Sequence, residues 1–240
     1  MEPHAYEDMS RQQESHWWFR ARRDILGQML EQLPINANPS ILEIGCGPGG
    51  NLEMLKSIGE TTAVELNESA ANVARKSSGI PVIVGHLPDN IDTNKKYDLV
   101  CLFDVLEHVE HDAESLNTIK ALLKKDGVLL LTLPAYQWLF GKHDRILHHY
   151  RRYNMKGICD LLDNAGFSVW YATYFNFLLF PLAVIARMMD YSSNTDSSIG
   201  YDTPNKFLNS LLYRVFSSEK HLIGKFRIPY GNSLLIIGRA

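Results

Sequence analysis

The stretch ILEIGCGPGGNLEML, residues 41–55, decides the fold. It places four glycines and one proline within residues 45–50, directly after an apolar run and before a helix-like segment. Glycine gives up side-chain packing and loses more backbone entropy on folding than other residues. A chain accepts that cost where a ligand must approach the backbone closely. A glycine turn between a strand and a helix places that ligand at the carboxyl edge of the sheet.

Outward from this turn, short apolar strands alternate with helical segments. Strands are predicted at 40–44, 61–66, 81–85, 97–105, 127–134, 167–175 and 233–240. Helices are predicted at 51–58, 68–77, 112–125, 154–166, 177–189 and 206–221, after an N-terminal helix that ends near residue 33. The regular alternation as far as residue 134 predicts a parallel sheet covered by helices on both faces.

Composition and charge argue against several classes of protein. The 240 residues carry 24 basic and 27 acidic side chains, and a net charge of -3 gives no indication of a nucleic-acid partner. Three widely spaced cysteines, without a CxxC pair, favour a reducing, cytoplasmic compartment over a disulfide framework. The polar, acidic N-terminus does not resemble a signal peptide.

One apolar window, residues 164–186, contains no charged side chain and is long enough to suggest a membrane span. Its first half alternates like a strand, and Pro181 interrupts the second half. We therefore interpret it as a strand followed by an apolar helix.

Two ligand classes fit the glycine turn. Gly45, Gly47 and Gly50 match GxGxxG, in which a pyrophosphate lies on a helix N-terminus, so an NAD-type oxidoreductase is one interpretation. Glu43 argues against it, because a carboxylate in the preceding strand opposes a pyrophosphate but can pair with an ammonium. Glu65 ends the second strand, at the usual distance for a carboxylate that binds ribose hydroxyls.

Four segments together carry a family resemblance: LEIGCGPGG, AVELN, YDLVCLFDVLEHV and LKKDGVLLLTLP. In this order, over about residues 40–134, they resemble the class I S-adenosylmethionine-dependent methyltransferases. HWWF at 16–19 and the later HD…HxRRY resemble a bacterial and archaeal subset of type 11/12-like methyltransferases. The resemblance implies an α/β fold: a Rossmann-like, doubly wound, mostly parallel seven-stranded sheet whose last strand is antiparallel.

We predict a single domain over residues 1–240. Its predicted parts are a cap helix in 1–38, a cofactor-binding core in 39–134, an active-site loop, helix and strand in 135–176, a helical lid or insertion in 177–231, and the final strand in 232–240.

The resemblance also implies the residues that hold S-adenosylmethionine and its product S-adenosylhomocysteine. His86 departs from the family pattern, which often has an acidic residue near the adenine. The predicted cofactor-binding residues are Trp18, Arg22, Glu43, Gly45, Cys46, Gly47, Glu65, Leu66, His86, Leu87, Phe103, Asp104 and Val105.

Methyl transfer to a hydroxyl needs aligned approach of the acceptor and benefits from a general base. The candidates for this chemistry are His108, His143, Asp144 and His149. Asp104, Glu107 and His108 also resemble the Glu-x-x-Glu-His metal triplet of ubiquinone-pathway and small-RNA methyltransferases, with Asp in place of the first Glu. A histidine near the reaction centre and an ordinary loop are both favoured over a metal site here, and no metal is assigned. Arg151 and Arg152 are candidates to clamp an anionic group.

The insertion at 177–231 is the best sequence cue to the acceptor. Its first helix is apolar nearly all round, which leaves three interpretations of the insertion. It forms a lid over a small or lipid-linked acceptor, it contacts the inner face of the membrane peripherally through 177–222, or it forms a homodimer interface or an enlarged core. A membrane-associated scaffold without turnover is the non-enzymatic alternative.

Overall fold

The computed structural model describes residues 12–92, 94–192 and 203–240, with the backbone alone for 189–192. The helices are α1 Trp17–Leu30, α2 Leu52–Lys56, α3 Glu68–Ser78, α4 Asp112–Leu122, α5 Lys142–Ile146, α6 Met155–Asn164, α7 Phe180–Ser192 and α8 Lys206–Ser217. The strands are β1 Ser40–Ile44, β2 Glu60–Glu65, β3 Val82–Val84, β4 Tyr97–Phe103, β5 Leu123–Pro134, β6 Ser168–Phe175 and β7 Ser233–Arg239.

The strands form one seven-stranded sheet in the order β3-β2-β1-β4-β5-β7-β6. Strands β1 to β5 pair in parallel, and β7 runs antiparallel to both β5 and β6. The predicted fold class is therefore confirmed. The strand order reverses between β1 and β4, which is where open α/β sheets bind ligands.

The central strands are buried on both faces, and this explains their continuous apolar sequence. Alternate residues of β1 enter opposite cores: Leu42 packs in one apolar cluster and Ile41 in the other. In β4, Val100 and Leu99 divide in the same way. Because side chains alternate across a strand, a sheet covered by helices on both sides needs apolar residues at every position.

The helix predicted at 112–125 is shorter than expected. It ends at Leu122, and β5 begins at Leu123, so residues 123–125 belong to the strand and not to the helix. Tyr97 pairs with Leu123, whereas Leu99 pairs with Val128, which leaves four residues of β5 bulged between the two pairs. This shift in register could not be read from helical periodicity.

The second helix of the insertion belongs to the core. Helix α8 packs along α1, and Phe216 stacks on Phe175 while Trp17 meets its ring edge-on. The Asp24 carboxylate accepts hydrogen bonds from the hydroxyls of Tyr213 and Ser217, at 2.7 and 2.6 Å. This half of the insertion therefore enlarges the core behind the sheet and does not cover its ligand-binding edge.

Among the described residues, no helix is both long enough and apolar enough to cross a membrane. The apolar window instead divides into β6 and the start of α7, as predicted.

Candidate active site

An open cavity of about 1010 Å³ lies at the carboxyl ends of the parallel strands. Most of the predicted site residues lie in its wall. They are Trp18, Arg22, Gly45, Cys46, Gly47, Glu65, Leu66, His86, Leu87, Phe103, Asp104, Val105, His108, His143 and His149. Glu43 and Asp144 lie behind the wall, where they support other residues.

The glycine turn forms one end of the cavity. Gly45 has a φ of 73°, and a Cβ added there would lie 2.5 Å from Cγ2 of Val105. The amides of Gly45 and Cys46 donate to the carbonyl of Val64, at 2.8 and 3.2 Å, so the turn lies directly against β2. Only glycine combines this backbone conformation with such close packing.

Glu65 ties the turn to the end of β2. Its Oε2 accepts the amide of Gly47 at 2.8 Å, and its Oε1 accepts the amide of Asn67 at 2.9 Å. Since two carboxylate oxygens offer about four acceptor positions in all, this tie is compatible with a further bond to a ligand hydroxyl.

Glu43 is buried on the protein side of the turn and does not line the cavity. Its Oε1 accepts a hydrogen bond from Nδ2 of Asn51 at 2.9 Å, while Oε2 has no partner among the described residues. Burial, reinforced by the charge of Glu65 and opposed by the Asn51 hydrogen bond, raises the pKa of Glu43 to about 7. This position, with the bond to Asn51, favours a role in ordering the glycine turn over direct pairing with a ligand ammonium.

Arg22 presents an incompletely paired cation to the cavity. Its Nη1 lies 3.0 Å from Oδ2 of Asp104, and its guanidinium lies over the ring of Trp18 at 4.8 Å. The buried Nε and Nη2 have no hydrogen-bond partner among the described residues. Because unsatisfied buried donors are costly and guanidinium binds carboxylates well, a ligand carboxylate suits this position.

The opposite end of the cavity is organised by Asp144. Its Oδ1 accepts from Nε of Arg152 at 2.7 Å and lies 3.0 Å from Nδ1 of His149, while its Oδ2 accepts the amide of Gly141 at 2.8 Å. Burial alone would raise the pKa of Asp144, but the bonds from His149 and Arg152 hold it below its ordinary value. The buried carboxylate therefore fixes the orientation of His149.

Two further histidines of this end are neutral at physiological pH. Burial, with His149 nearby, lowers the pKa of His108 to about 3. Burial also lowers the pKa of His143 to about 4, although Asp144 opposes this shift. The rings of His108 and His149 lie 4.4 Å apart between centroids and nearly perpendicular to each other.

The arginine clamp expected from the sequence is not available. Arg151 pairs with Asp112 at 2.7 Å and donates to the carbonyl of Glu110, and Arg152 is bound to Asp144. Sequence reasoning instead missed Arg187, which lines the cavity and lies 3.6 Å from Oδ2 of Asp144. No pattern pointed to it, because it lies within the apolar helix α7.

Comparison with known proteins agrees with this geometry. The methyltransferase-domain family matches residues 16–172. A probable S-adenosylmethionine-dependent methyltransferase of Mycolicibacterium smegmatis is 27% identical over 161 residues, which cover 65% of this chain and 61% of the relative. The mitochondrial ubiquinone biosynthesis O-methyltransferase of Schizosaccharomyces pombe is 29% identical over 125 residues, with 49% and 46% covered.

Solved structures show the same fold. The chain is similar to a structure described as a complex between the Haloferax volcanii Trm112 methyltransferase activator and a methyltransferase, with a TM-score of 0.64, 17% identity, and 98% and 94% of the two chains covered. A second similar structure, from Bacillus halodurans, gives a TM-score of 0.60 at 17% identity, with 90% and 98% covered.

The fold and the cavity thus define a class I methyltransferase, and the chain belongs to the methyltransferase-domain family. It spans less than two thirds of the length of the curated relatives described above. The cofactor that the family and fold indicate is S-adenosylmethionine. The residues present are compatible with it: Arg22 would offer donors to its carboxylate, the bare glycine turn would admit its main body, and Glu65 would accept from its ribose hydroxyls.

Replacing Arg22 tests the carboxylate position. We expect Arg22→Met to weaken S-adenosylhomocysteine binding by about 10- to 100-fold, since it removes charge-assisted hydrogen bonds worth about 1.5–3 kcal/mol. Isothermal titration calorimetry measures this directly. The matched control is Arg20→Met, on the same helix, where the guanidinium lies over Tyr213. Equal affinity of the two variants would contradict the assignment.

Glu43→Gln tests the buried carboxylate through pH. Folding raises the pKa of Glu43 from 4.5 to about 7, so the unfolded chain loses this proton first and stability falls as the pH rises through that interval. Relative to the wild type, we expect Glu43→Gln to gain up to about 3 kcal/mol of unfolding free energy between about pH 4.5 and pH 8.

Urea unfolding at several pH values gives this measurement. Glu53→Gln, which alters an exposed carboxylate in α2, is the control and should show little dependence on pH. If the difference in unfolding free energy between Glu43→Gln and the wild type does not change across this pH interval, the carboxylate of Glu43 titrates normally.

Proposed function

We propose that this protein transfers the methyl group of S-adenosylmethionine to an oxygen atom of a small or lipid-like acceptor. The observation that carries this proposal is the His149–Asp144 pair in the wall of the same cavity as the glycine turn. Bound S-adenosylmethionine supplies an activated methyl group. What the chain must add is an oriented, partly desolvated acceptor and a group that takes its proton.

His149 is built to take that proton. Because its Nδ1 is held by Asp144, its Nε2 is the nitrogen available for an acceptor hydroxyl. The carboxylate stabilises the imidazolium that forms when the proton arrives. His108 contacts the same ring edge-on, and His143 lines the same wall, so both shape the acceptor site around His149.

The lipid-like part of the proposal rests on α7. This helix carries Arg187 into the cavity wall, yet Leu182, Ile185 and Met188 on it are 57%, 55% and 67% exposed. An apolar tail that leaves the cavity along α7 would cover these side chains. The likeness to an O-methyltransferase named for ubiquinone biosynthesis is consistent with such an acceptor.

The alternatives are weaker. The family assignment favours S-adenosylmethionine over NAD, and the paired donors and acceptors around His149 argue against a scaffold without turnover. A homodimer contact, a peripheral membrane contact through 177–222 and the cytoplasmic location stay predictions.

His149→Ala tests the acid–base role. In an assay of S-adenosylhomocysteine release with hydroxyl acceptors, we expect kcat to fall by about 100- to 10,000-fold, the usual contribution of a general base. The affinity for S-adenosylhomocysteine should not change. His221→Ala, outside the cavity, is the control. Full activity of His149→Ala, or methylation confined to nitrogen acceptors, would refute the proposal.

A variant of α7 tests the lipid-like acceptor. We expect Leu182→Ser, Ile185→Ser and Met188→Ser combined to raise KM for an isoprenoid-tailed phenol on the order of 10-fold, because apolar contact area is lost. The KM for the same phenol without its tail should not move. If both KM values rise together, or neither does, α7 does not bind the tail.

A further inference from the structure

Glu107 is the unexplained group of the cavity. Its side chain is fully buried in the wall, and neither carboxylate oxygen has a hydrogen-bond partner among the described residues. The nearby guanidinium groups do not hydrogen-bond to this carboxylate: Arg22 pairs with Asp104 through Nη1, and Arg152 pairs with Asp144. An unpaired buried carboxylate is costly, so this position requires either a proton or a cation.

Two imidazoles complete a donor set around it. One donor atom each from Glu107, His108 and His149 lie within 4.8 Å of one another. His149 comes from a segment about 40 residues further along the chain, and only the fold brings it to this place. Two nitrogens and one carboxylate oxygen are a set that zinc and neighbouring divalent metals prefer, whereas magnesium and calcium prefer oxygen alone.

Both imidazoles are also held as metal ligands usually are. Nδ1 of His149 is bound by Asp144, and the ring of His108 is hydrogen-bonded to the backbone of Leu147. Fixing one ring nitrogen on a carboxylate or a backbone carbonyl orients the other nitrogen toward the metal. Asp104 is not needed, because Arg22 and Thr132 hold its carboxylate.

We infer that Glu107, His108 and His149 bind one divalent metal ion of the zinc class in the wall of the cavity. Three protein ligands leave a fourth position open toward the cavity, as in catalytic zinc sites. Tetrahedral coordination with metal–ligand bonds of about 2.0–2.2 Å would hold the donor atoms roughly 3.4 Å apart. Binding of the ion would therefore draw the three side chains closer together.

The consequence rests on the proposed function. An acceptor hydroxyl in the open position would bind the metal through its oxygen, and its pKa would fall as the pKa of zinc-bound water does. The O–H bond then breaks with its electron pair left on oxygen, and the proton passes to water in the open cavity. In this case His149 would act as a metal ligand, and the metal would activate the acceptor hydroxyl in place of a histidine base.

Metal binding is measured without turnover. The full chain is stripped with a chelator, dialysed against Zn²⁺ and analysed for bound metal, and Co²⁺ is titrated while the visible absorption is followed. We expect one ion per chain. Glu107→Gln and His149→Ala should each weaken binding by more than about 100-fold. Asp144→Asn, which alters the group that orients His149 but none of the three ligands, should weaken it by about 10- to 100-fold.

Matched controls separate ligation from misfolding. Glu53→Gln and His221→Ala alter one carboxylate and one imidazole outside the cavity and should bind metal as the wild type does. S-adenosylhomocysteine affinity, measured on every variant, shows that the fold is intact. If Glu107→Gln loses its affinity for S-adenosylhomocysteine, Glu107→Asp is measured in its place. We again expect this variant to retain the cofactor affinity and to bind metal more weakly.

Two results overturn the inference: no stoichiometric uptake of Zn²⁺ or Co²⁺, or uptake that survives both Glu107→Gln and His149→Ala. Either result leaves methyl transfer with His149 as the base unaffected. Conversely, metal bound at this site in a protein that methylates no oxygen acceptor would refute the proposed function and retain the site.

Discussion

The carboxylate of Glu65 is the constraint on which the cofactor end of the molecule depends. It binds the amides of Gly47 and Asn67, and so joins the turn after β1 to the turn after β2. The glycine turn has few side chains to pack, so hydrogen bonds to its backbone amides contribute strongly to holding it in place. A single carboxylate therefore both shapes the bare backbone surface and presents its own oxygens to the cavity.

Several charged groups in or behind the cavity wall are paired with one another. Asp104 neutralises part of Arg22, and Asp144 is satisfied by Arg152, His149 and a backbone amide. Among the described residues that line the cavity, the side chains with buried polar atoms that lack a hydrogen-bond partner are Arg22, at Nε and Nη2, and Glu107, at both oxygens. Buried polar groups without partners are destabilising, and binding of a ligand in the cavity would satisfy the two groups.

Sequence reasoning succeeded where a residue's role follows from its place along a strand. The apolar runs of β1, β4 and β5 predicted a sheet buried on both faces, and the glycine turn and Glu65 were placed by their distance from strand ends. It failed where the outcome depends on contacts between distant segments. The Leu123–Val128 shift in register depends on Tyr97 in the neighbouring strand, and the packing of α8 depends on Asp24 in α1.

The end of the cavity around Asp144 shows most clearly what could not be predicted from the sequence. The composition of residues 143–153 indicated chemistry, but it suggested that Arg151 and Arg152 bind the ligand and gave no orientation for the histidines. In the fold, Asp144 is fully buried and binds both Arg152 and His149, so Arg152 is paired within the protein and is not left to bind an anionic ligand. A buried carboxylate that must be satisfied thus decides which neighbouring side chains remain for catalysis. Since the burial of Asp144 arises from the whole cavity wall, no local pattern of residues could have assigned these roles.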